Sequence, residues 1–122
     1  MNKMTWKSLL FSCILFLGAI NAVLCSSFIE CPDVSKANVL TLDLEKHKSA
    51  TVGSTTLDFR LPESGLFHQP ISCIVITDLS TDGSGGDVSI IFGGIGSRTV
   101  EINIVSQLLK GLDYRVQIYS EN

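Results

Sequence analysis

The segment Tyr114-Arg115-Val116-Gln117-Ile118-Tyr119 carries a bulky apolar or aromatic side chain at positions 114, 116 and 118. This period of two is typical of a β-strand that buries one face, because successive side chains of a strand point to opposite sides. The two tyrosines are five positions apart, so they lie on opposite faces of the predicted strand. We therefore expect one tyrosine in the core and the other at the surface.

The same alternation extends to other segments. It recurs at 40–45, 57–61 and 99–104, whereas 71–76 and 88–92 are more continuously apolar and predict central strands covered on both faces. A further weak strand is possible around 50–52, and the only weak helix candidate, 106–110, is too short to be stable alone. Glycine-rich turns separate the strands at 82–87 and 93–97. The sequence predicts an all-β fold, a small antiparallel β-sandwich or flattened barrel of about six to seven short strands.

Every second residue of the predicted strands is expected to point into the core. The residues predicted to point inward are Leu40, Leu42, Leu57, Phe59, Val75, Val88, Ile90, Val100, Ile102, Val116 and Ile118.

The N-terminal segment differs from the rest of the chain. Lys3 and Lys7 precede an uncharged apolar run, which ends in small and polar residues near Cys25. Basic start, apolar middle and small-residue exit predict a secretory signal peptide over 1–25, with a single secreted β-domain over 26–122. An uncleaved membrane anchor is the alternative, although no basic stop follows the run.

Four cysteines are present, and two of them, Cys13 and Cys25, fall in the predicted signal. In an exported chain the remaining pair, Cys31 and Cys73, most simply forms one disulfide. That bond would close a loop of about 40 residues and stabilise the fold by roughly 3–4 kcal/mol in the chain-entropy model. Their wide separation, without a Cys-x-x-Cys motif, disfavours a metal site.

The charge balance bears on the partners. The whole chain has a net charge of −3, and two of its nine Lys and Arg residues lie in the predicted signal. Because nucleic acids and anionic membranes are bound through clustered Lys and Arg, we expect neither direct nucleic-acid binding nor membrane binding after signal cleavage. The sequence names no particular partner and leaves the oligomeric state open.

Two loops resemble ligand-binding motifs. The acidic stretch Asp78–Asp87 matches the first positions of a calcium loop, but Ser89 stands where the bidentate Glu is needed, so a solvated hairpin turn is the preferred interpretation. The stretch Gly93–Arg98 lacks the Lys and the helix of a phosphate loop, and a tight strand connection is expected there. No cofactor or metal is predicted.

No nucleophile, base and orienting group stand out together. His47 and His68 are the only histidines, and no Gly-x-Ser-x-Gly motif is present. We therefore expect a protein that is not an enzyme.

A family resemblance covers 71–119. The ordered set comprises Val75-Ile76-Thr77-Asp78, the glycine turns at 83–86 and 93–96, Val100-Glu101-Ile102, Ser106-Gln107, and Gly111 to Tyr119. This set resembles the multiprotein bridging factor two family, small proteins of insects and related arthropods, many of which are labelled salivary or secreted peptides. The name of that family implies a transcription coactivator that bridges a DNA-bound activator and basal transcription factors.

Weighing the signal and the cysteine pair above that name, we expect a small secreted, extracellular protein, of the salivary or haemolymph type, that binds an unknown protein partner. The transcriptional coactivator is the alternative. A carrier for a small apolar molecule and an enzyme are further alternatives; an internal cavity would favour the first, and a cleft with a perturbed His68 or acid pair the second.

Overall fold

The structure, a computed structural model, describes residues 27–81 and 84–122. Its strands are β1 (Ser27–Glu30), β2 (Val39–Lys48), β3 (Thr56–Leu61), β4 (Ile71–Asp78), β5 (Asp87–Gly93), β6 (Val100–Val105) and β7 (Leu112–Ser120). A single turn of 3-10 helix, Val34–Lys36, lies between β1 and β2. All strand pairs are antiparallel, in one sheet of order β1-β4-β7-β2 and a second of order β3-β6-β5. The predicted β-sandwich is confirmed, and the sheets do not close into a barrel.

The core lies between the inner faces of the two sheets. In β7, Tyr114, Val116 and Ile118 are buried, as the period of two predicted. Ile102 and Ile104 of β6 are fully buried in the second sheet and belong to the same apolar cluster. Since β7 and β6 are each flanked by strands on both sides, their inner residues are covered from every direction. Two of the segments with alternating apolar residues thus occupy the centres of the two sheets.

Two of the residues predicted to point inward do not. Leu40 is 48% exposed, because a register shift between Leu40 and Leu42 carries an extra residue and turns Leu40 to the outer face. Val75 is only partly buried and is paired with Gln117 on the outer face of β7, while its neighbours in β4 fill the core. In a strand that is apolar at nearly every position, hydrophobicity alone does not reveal which of the two alternating sets of side chains faces inward.

The prediction that 88–92 forms a central strand is wrong. This segment is β5, the edge strand of the three-stranded sheet, and its Ile91 and Phe92 are 54% and 60% exposed. A register shift between Ile90 and Phe92 interrupts the alternation, so two successive apolar side chains reach solvent. A continuous apolar run therefore marks one central strand, β4, and one edge strand, β5.

One weaker prediction also fails. The segment 50–52 lies in the loop between β2 and β3, and the additional strand is β1, at the start of the described residues. The segment 106–110, too short for a stable helix alone, forms a turn between β6 and β7. The predicted signal peptide, 1–25, lies outside the described residues. Within the described part, no helix has the length and apolar character needed to cross a membrane.

Candidate functional site

Two neighbouring loops at one end of the sandwich expose large apolar side chains. These loops, 49–55 between β2 and β3 and 106–111 between β6 and β7, are called the loop tip below. Val52 is 99% exposed, Leu108 is 68% exposed and Leu109 is 60% exposed. Apolar groups concentrated in this way at one end of a small domain are typical of a contact surface for another molecule.

Hydrogen bonds hold the two loops of the tip together. The Ser106 amide donates to the Thr55 carbonyl oxygen at 2.8 Å, and the Thr55 amide donates to Ser106 Oγ at 2.7 Å. Further out, the Leu109 amide donates to the Gly53 carbonyl oxygen at 2.7 Å. Thr55 and Ser106 are both buried, so the reciprocal pair is shielded from water. The exposed side chains are thus carried on a braced backbone, which reduces the entropy lost when a partner binds.

Leu109 has an unfavourable backbone conformation. Its φ is 63°, and it is the only non-glycine residue with a positive φ among those the structure describes. For a side chain as bulky as leucine this region costs about 1–2 kcal/mol, because Cβ approaches the following carbonyl oxygen. Strained residues of this kind occur preferentially at functional sites. The strain and the exposure of Leu109 coincide at the most apolar part of the tip.

The tip was not singled out by sequence reasoning. The sequence offers 50–52 as a possible weak strand and 106–110 as a helix candidate too short to be stable alone, and neither assignment predicts an exposed apolar surface. The available signal was the pair Leu108-Leu109 directly before Lys110-Gly111, in a segment without either period.

The predicted cysteine pair is brought together. Cys31 and Cys73 lie at disulfide distance, with their Cα atoms 4.3 Å apart. Cys73 is buried in the central strand β4, while Cys31 directly follows β1. The contact joins the N-terminal end of the described chain to the centre of the four-stranded sheet.

The acidic loop connects β4 and β5. Its Asp82 and Gly83 lie outside the described residues, and Asp78 Oδ1 accepts a hydrogen bond from the Ser80 amide at 2.9 Å, an arrangement typical of a turn. The described residues contain no group of three or more His, Cys, Asp or Glu side chains that could hold a metal ion. The calcium hypothesis thus gains no support from the described part of this loop.

Tyr114 fastens the end of the acidic loop to β7. Its hydroxyl oxygen accepts a hydrogen bond from the Gly86 amide at 2.8 Å. Burial raises the pKa of Tyr114, and the nearby carboxylates of Asp78 and Asp87 act in the same direction. The phenol therefore stays protonated at neutral pH. The sequence placed one of the two tyrosines in the core, and Tyr114 is that residue, with Tyr119 only partly buried.

The other candidates from the sequence lie apart from the tip. The stretch Gly93–Arg98 forms the expected tight connection, in which the Gly94 amide donates to the Thr99 carbonyl oxygen at 3.0 Å. His47 lies on β2, and His68 lies in the loop between β3 and β4; both are exposed. An open groove of about 430 Å³ lies near Lys36, Pro70 and Ile95, between the β1–β2 connection and the C-terminal end of β7. It opens to solvent and differs from the internal cavity that an apolar carrier requires.

The fold and the tip define a small two-sheet β-domain with an exposed, braced apolar end. A family model described as "Transcription activator MBF2" matches residues 34–120, and the chain belongs to this family. The match begins well before the segment 71–119 on which the resemblance was based, and it covers β2 through β7. Neither the curated proteins nor the solved structures yielded a match.

The family assignment corrects one expectation from the sequence. A secreted, extracellular location was predicted from the apolar N-terminal segment and the cysteine pair. The description of the family as a transcription activator contradicts that location, because transcription is activated inside the cell. The error arose from ranking the N-terminal pattern, which lies outside the described residues, above the meaning of the family name.

Proposed function

We propose that this protein takes part in transcription activation as a protein-binding β-domain, and that the loop tip is the surface through which it contacts its partner. The description of the family supplies the process. The observation that carries the surface is Leu109, which is 60% exposed and held at φ 63°. Binding rather than catalysis is the mode of action, and the finer role is to bridge a DNA-bound activator and basal transcription factors.

The apolar side chains and the fixed backbone of the tip both favour binding of a partner. Val52, Leu108 and Leu109 expose apolar area that the fold leaves in water. Removing such area from water is worth about 25 cal/mol per Å², before the entropy and desolvation costs of association are subtracted. The bonds between Ser106 and Thr55 already fix the two loops relative to each other. Little backbone ordering is therefore needed when a partner binds.

The proposed partner is a protein and not DNA itself. The whole chain has a net charge of −3, and the tip loops 49–55 and 106–111 contain a single basic side chain, that of Lys110. DNA binding requires several cations that release counterions from the phosphate backbone. A partner protein with an apolar recess matches the tip better than a phosphate backbone does.

The test is activation of a reporter gene by the full chain fused to an unrelated DNA-binding domain. The wild-type chain should raise transcription from the reporter, and Leu108→Asp should abolish most of that increase, because it places a charge in the apolar contact. The matched control is Leu66→Asp. Leu66 is 53% exposed and lies in the loop between β3 and β4, outside the tip, so this variant should retain wild-type activation.

Stability measurements keep the comparison valid. Both leucines are exposed, so the two aspartate variants should unfold within about 0.5 kcal/mol of the wild type. A wild-type chain that does not activate the reporter refutes the transcriptional role. Equal losses in Leu108→Asp and Leu66→Asp refute the assignment of the contact surface to the tip.

A further inference from the structure

The two sheets have four edge strands, and β5 differs from the other three. The edge strand β2 carries the basic pair Lys46 and Lys48, β3 carries Asp58 and Arg60, and β1 has only four residues. Charged side chains and short length are the usual means by which proteins prevent an edge strand from pairing with another chain. The seven residues of β5 contain one charge, Asp87, at the first position.

Four of the other six residues of β5 are apolar, namely Val88, Ile90, Ile91 and Phe92. Ile91 and Phe92 are 54% and 60% exposed, next to the register shift that brings both toward solvent. Val88 and Ile90 face the core cluster, yet they are only partly buried. The core is therefore open along this edge, and the side chains of an added strand would reduce the exposure of both pairs.

We propose that β5 pairs antiparallel with β5 of a second copy of this chain, joining the two three-stranded sheets into one sheet of six strands. Such pairing is isologous, since the same strand contributes to both sides of a two-fold axis. Main-chain hydrogen bonds provide much of the affinity, as in other cases of strand addition. This proposal concerns a different surface from the loop tip and does not depend on the proposed function.

The charge pattern of β5 suits a second copy in this orientation. With the two-fold axis near Ile90, the Asp87 end of each strand lies beside the Gly93 end of the other. The two carboxylates then lie at opposite ends of the new strand pair, roughly 20 Å apart at about 3.4 Å per residue. A parallel arrangement would instead place the two Asp87 carboxylates side by side. Antiparallel self-pairing therefore brings no like charges together.

The size of the contact predicts a weak dimer. One strand pair with four exposed apolar side chains buries less than the area of a standard stable interface, about 1,200–2,000 Å². We therefore expect a dissociation constant of about 10–100 µM, and a reversible dimer that forms as the concentration rises.

Sedimentation equilibrium of the full chain over a concentration series tests the proposal. The wild type should pass from monomer to dimer, and Ile91→Lys should weaken the association at least tenfold, because each strand would then bring a lysine into the pairing edge. The matched control is Val39→Lys. Val39 is 39% exposed and is the first residue of β2, an edge strand of the other sheet, so its substitution should leave the dimer unchanged. An intact mass without reductant excludes dimers linked through cysteine.

A second variant and a second measurement identify the interface. Phe92→Lys should also weaken the dimer, and backbone amides of β5 should exchange hydrogen more slowly as the wild-type concentration rises. A wild type that stays monomeric up to about 0.1 mM overturns the proposal. So does an association that survives in Ile91→Lys, or one that Leu108→Asp removes, since the contact would then lie outside β5.

Discussion

The loops at the two ends of strand β6 both contain residues with positive φ, but the residue types differ. At the end before Val100, the connection from β5 uses Gly93 and Gly96, with φ of 70° and 86°. At the other end, the connection to β7 uses Leu109, with φ of 63°. Glycine adopts this conformation without steric cost, whereas leucine does not. The glycine end serves only to turn the chain, and the leucine end also presents a side chain.

The largest loss of stability is expected for a substitution in strand β6 itself, between these two loops. Ile102 of β6 is fully buried in the core, so Ile102→Ala should destabilise the fold by about 2–5 kcal/mol, through lost burial and the cavity left behind. Val105 lies on the same strand but is 36% exposed, and Val105→Ala should change the stability by no more than about 0.5 kcal/mol. Urea unfolding of both variants measures the difference. Similar losses at the two positions would show that the inner face of β6 is not the centre of the core.

The glycine end can be tested at two positions that share a positive φ. A Cβ at Gly93 would collide with the backbone carbonyl of Thr99, whereas a Cβ at Gly96 would meet open space. We expect Gly93→Ala to cost about 2–3 kcal/mol, from steric overlap and conformational strain together. Gly96→Ala should cost only the strain, about 1 kcal/mol. Equal losses in urea unfolding would mean that the close approach to Thr99 does not matter.

The leucine end should respond in the opposite direction. Leu109→Gly removes the strain at φ 63° and should raise the free energy of unfolding by about 0.5–1 kcal/mol, after allowance for the greater freedom of glycine in the unfolded chain. The same substitution removes an exposed side chain of the tip, so it should lower activation of the reporter. The adjacent Leu108 does not have a positive φ, and Leu108→Gly should therefore lower activation without raising stability. A destabilised Leu109→Gly chain would show that Leu109 is not strained.

The sequence was sufficient to predict those parts of the fold that depend on a single local pattern, such as the alternation of apolar residues. The alternation in β6 and β7 predicted the sandwich and the inward positions of Ile102 and Val116, because each strand buries one face. The approach of Cys31 to Cys73 was predicted by assigning the other two cysteines, Cys13 and Cys25, to the predicted signal. Residues at bulges were not predictable, since the extra residue that exposes Leu40 depends on the register between strands. The exposure of β5 depends in the same way on its place at the edge of a sheet.

The loop tip escaped prediction for a different reason. Its exposed side chains have no period, and its brace depends on a contact between Thr55 and Ser106, two residues far apart in the chain. The left-handed conformation of Leu109 also follows from this tertiary arrangement, since no local preference of leucine favours it. A site made by two loops that meet only in the folded state leaves little trace in either loop sequence.

The smallest predicted effect lies on the outer face of the four-stranded sheet, away from both ends of β6. Arg115 donates two hydrogen bonds to Asp43, at 2.9 Å and 2.7 Å, and these bonds hold the pKa of Asp43 below its ordinary value of 3.8. Because the folded-state pKa is the lower one, the unfolded chain takes up the proton first as the pH falls. The pair therefore stabilises the fold above the unfolded-state pKa, and this contribution is lost as the pH falls through the folded-state pKa.

Asp43→Asn isolates this contribution. Thermal unfolding of the wild type and of Asp43→Asn should converge as the pH is lowered from about 6 to about 3, with the wild type more stable only at the upper end. The difference should shrink in high salt, since both side chains are partly exposed and solvent screens the pair. An unchanged difference across the pH range would contradict the assigned proton uptake. A difference larger than that between Leu109→Gly and the wild type would mean that surface charge outweighs the backbone strain at the tip.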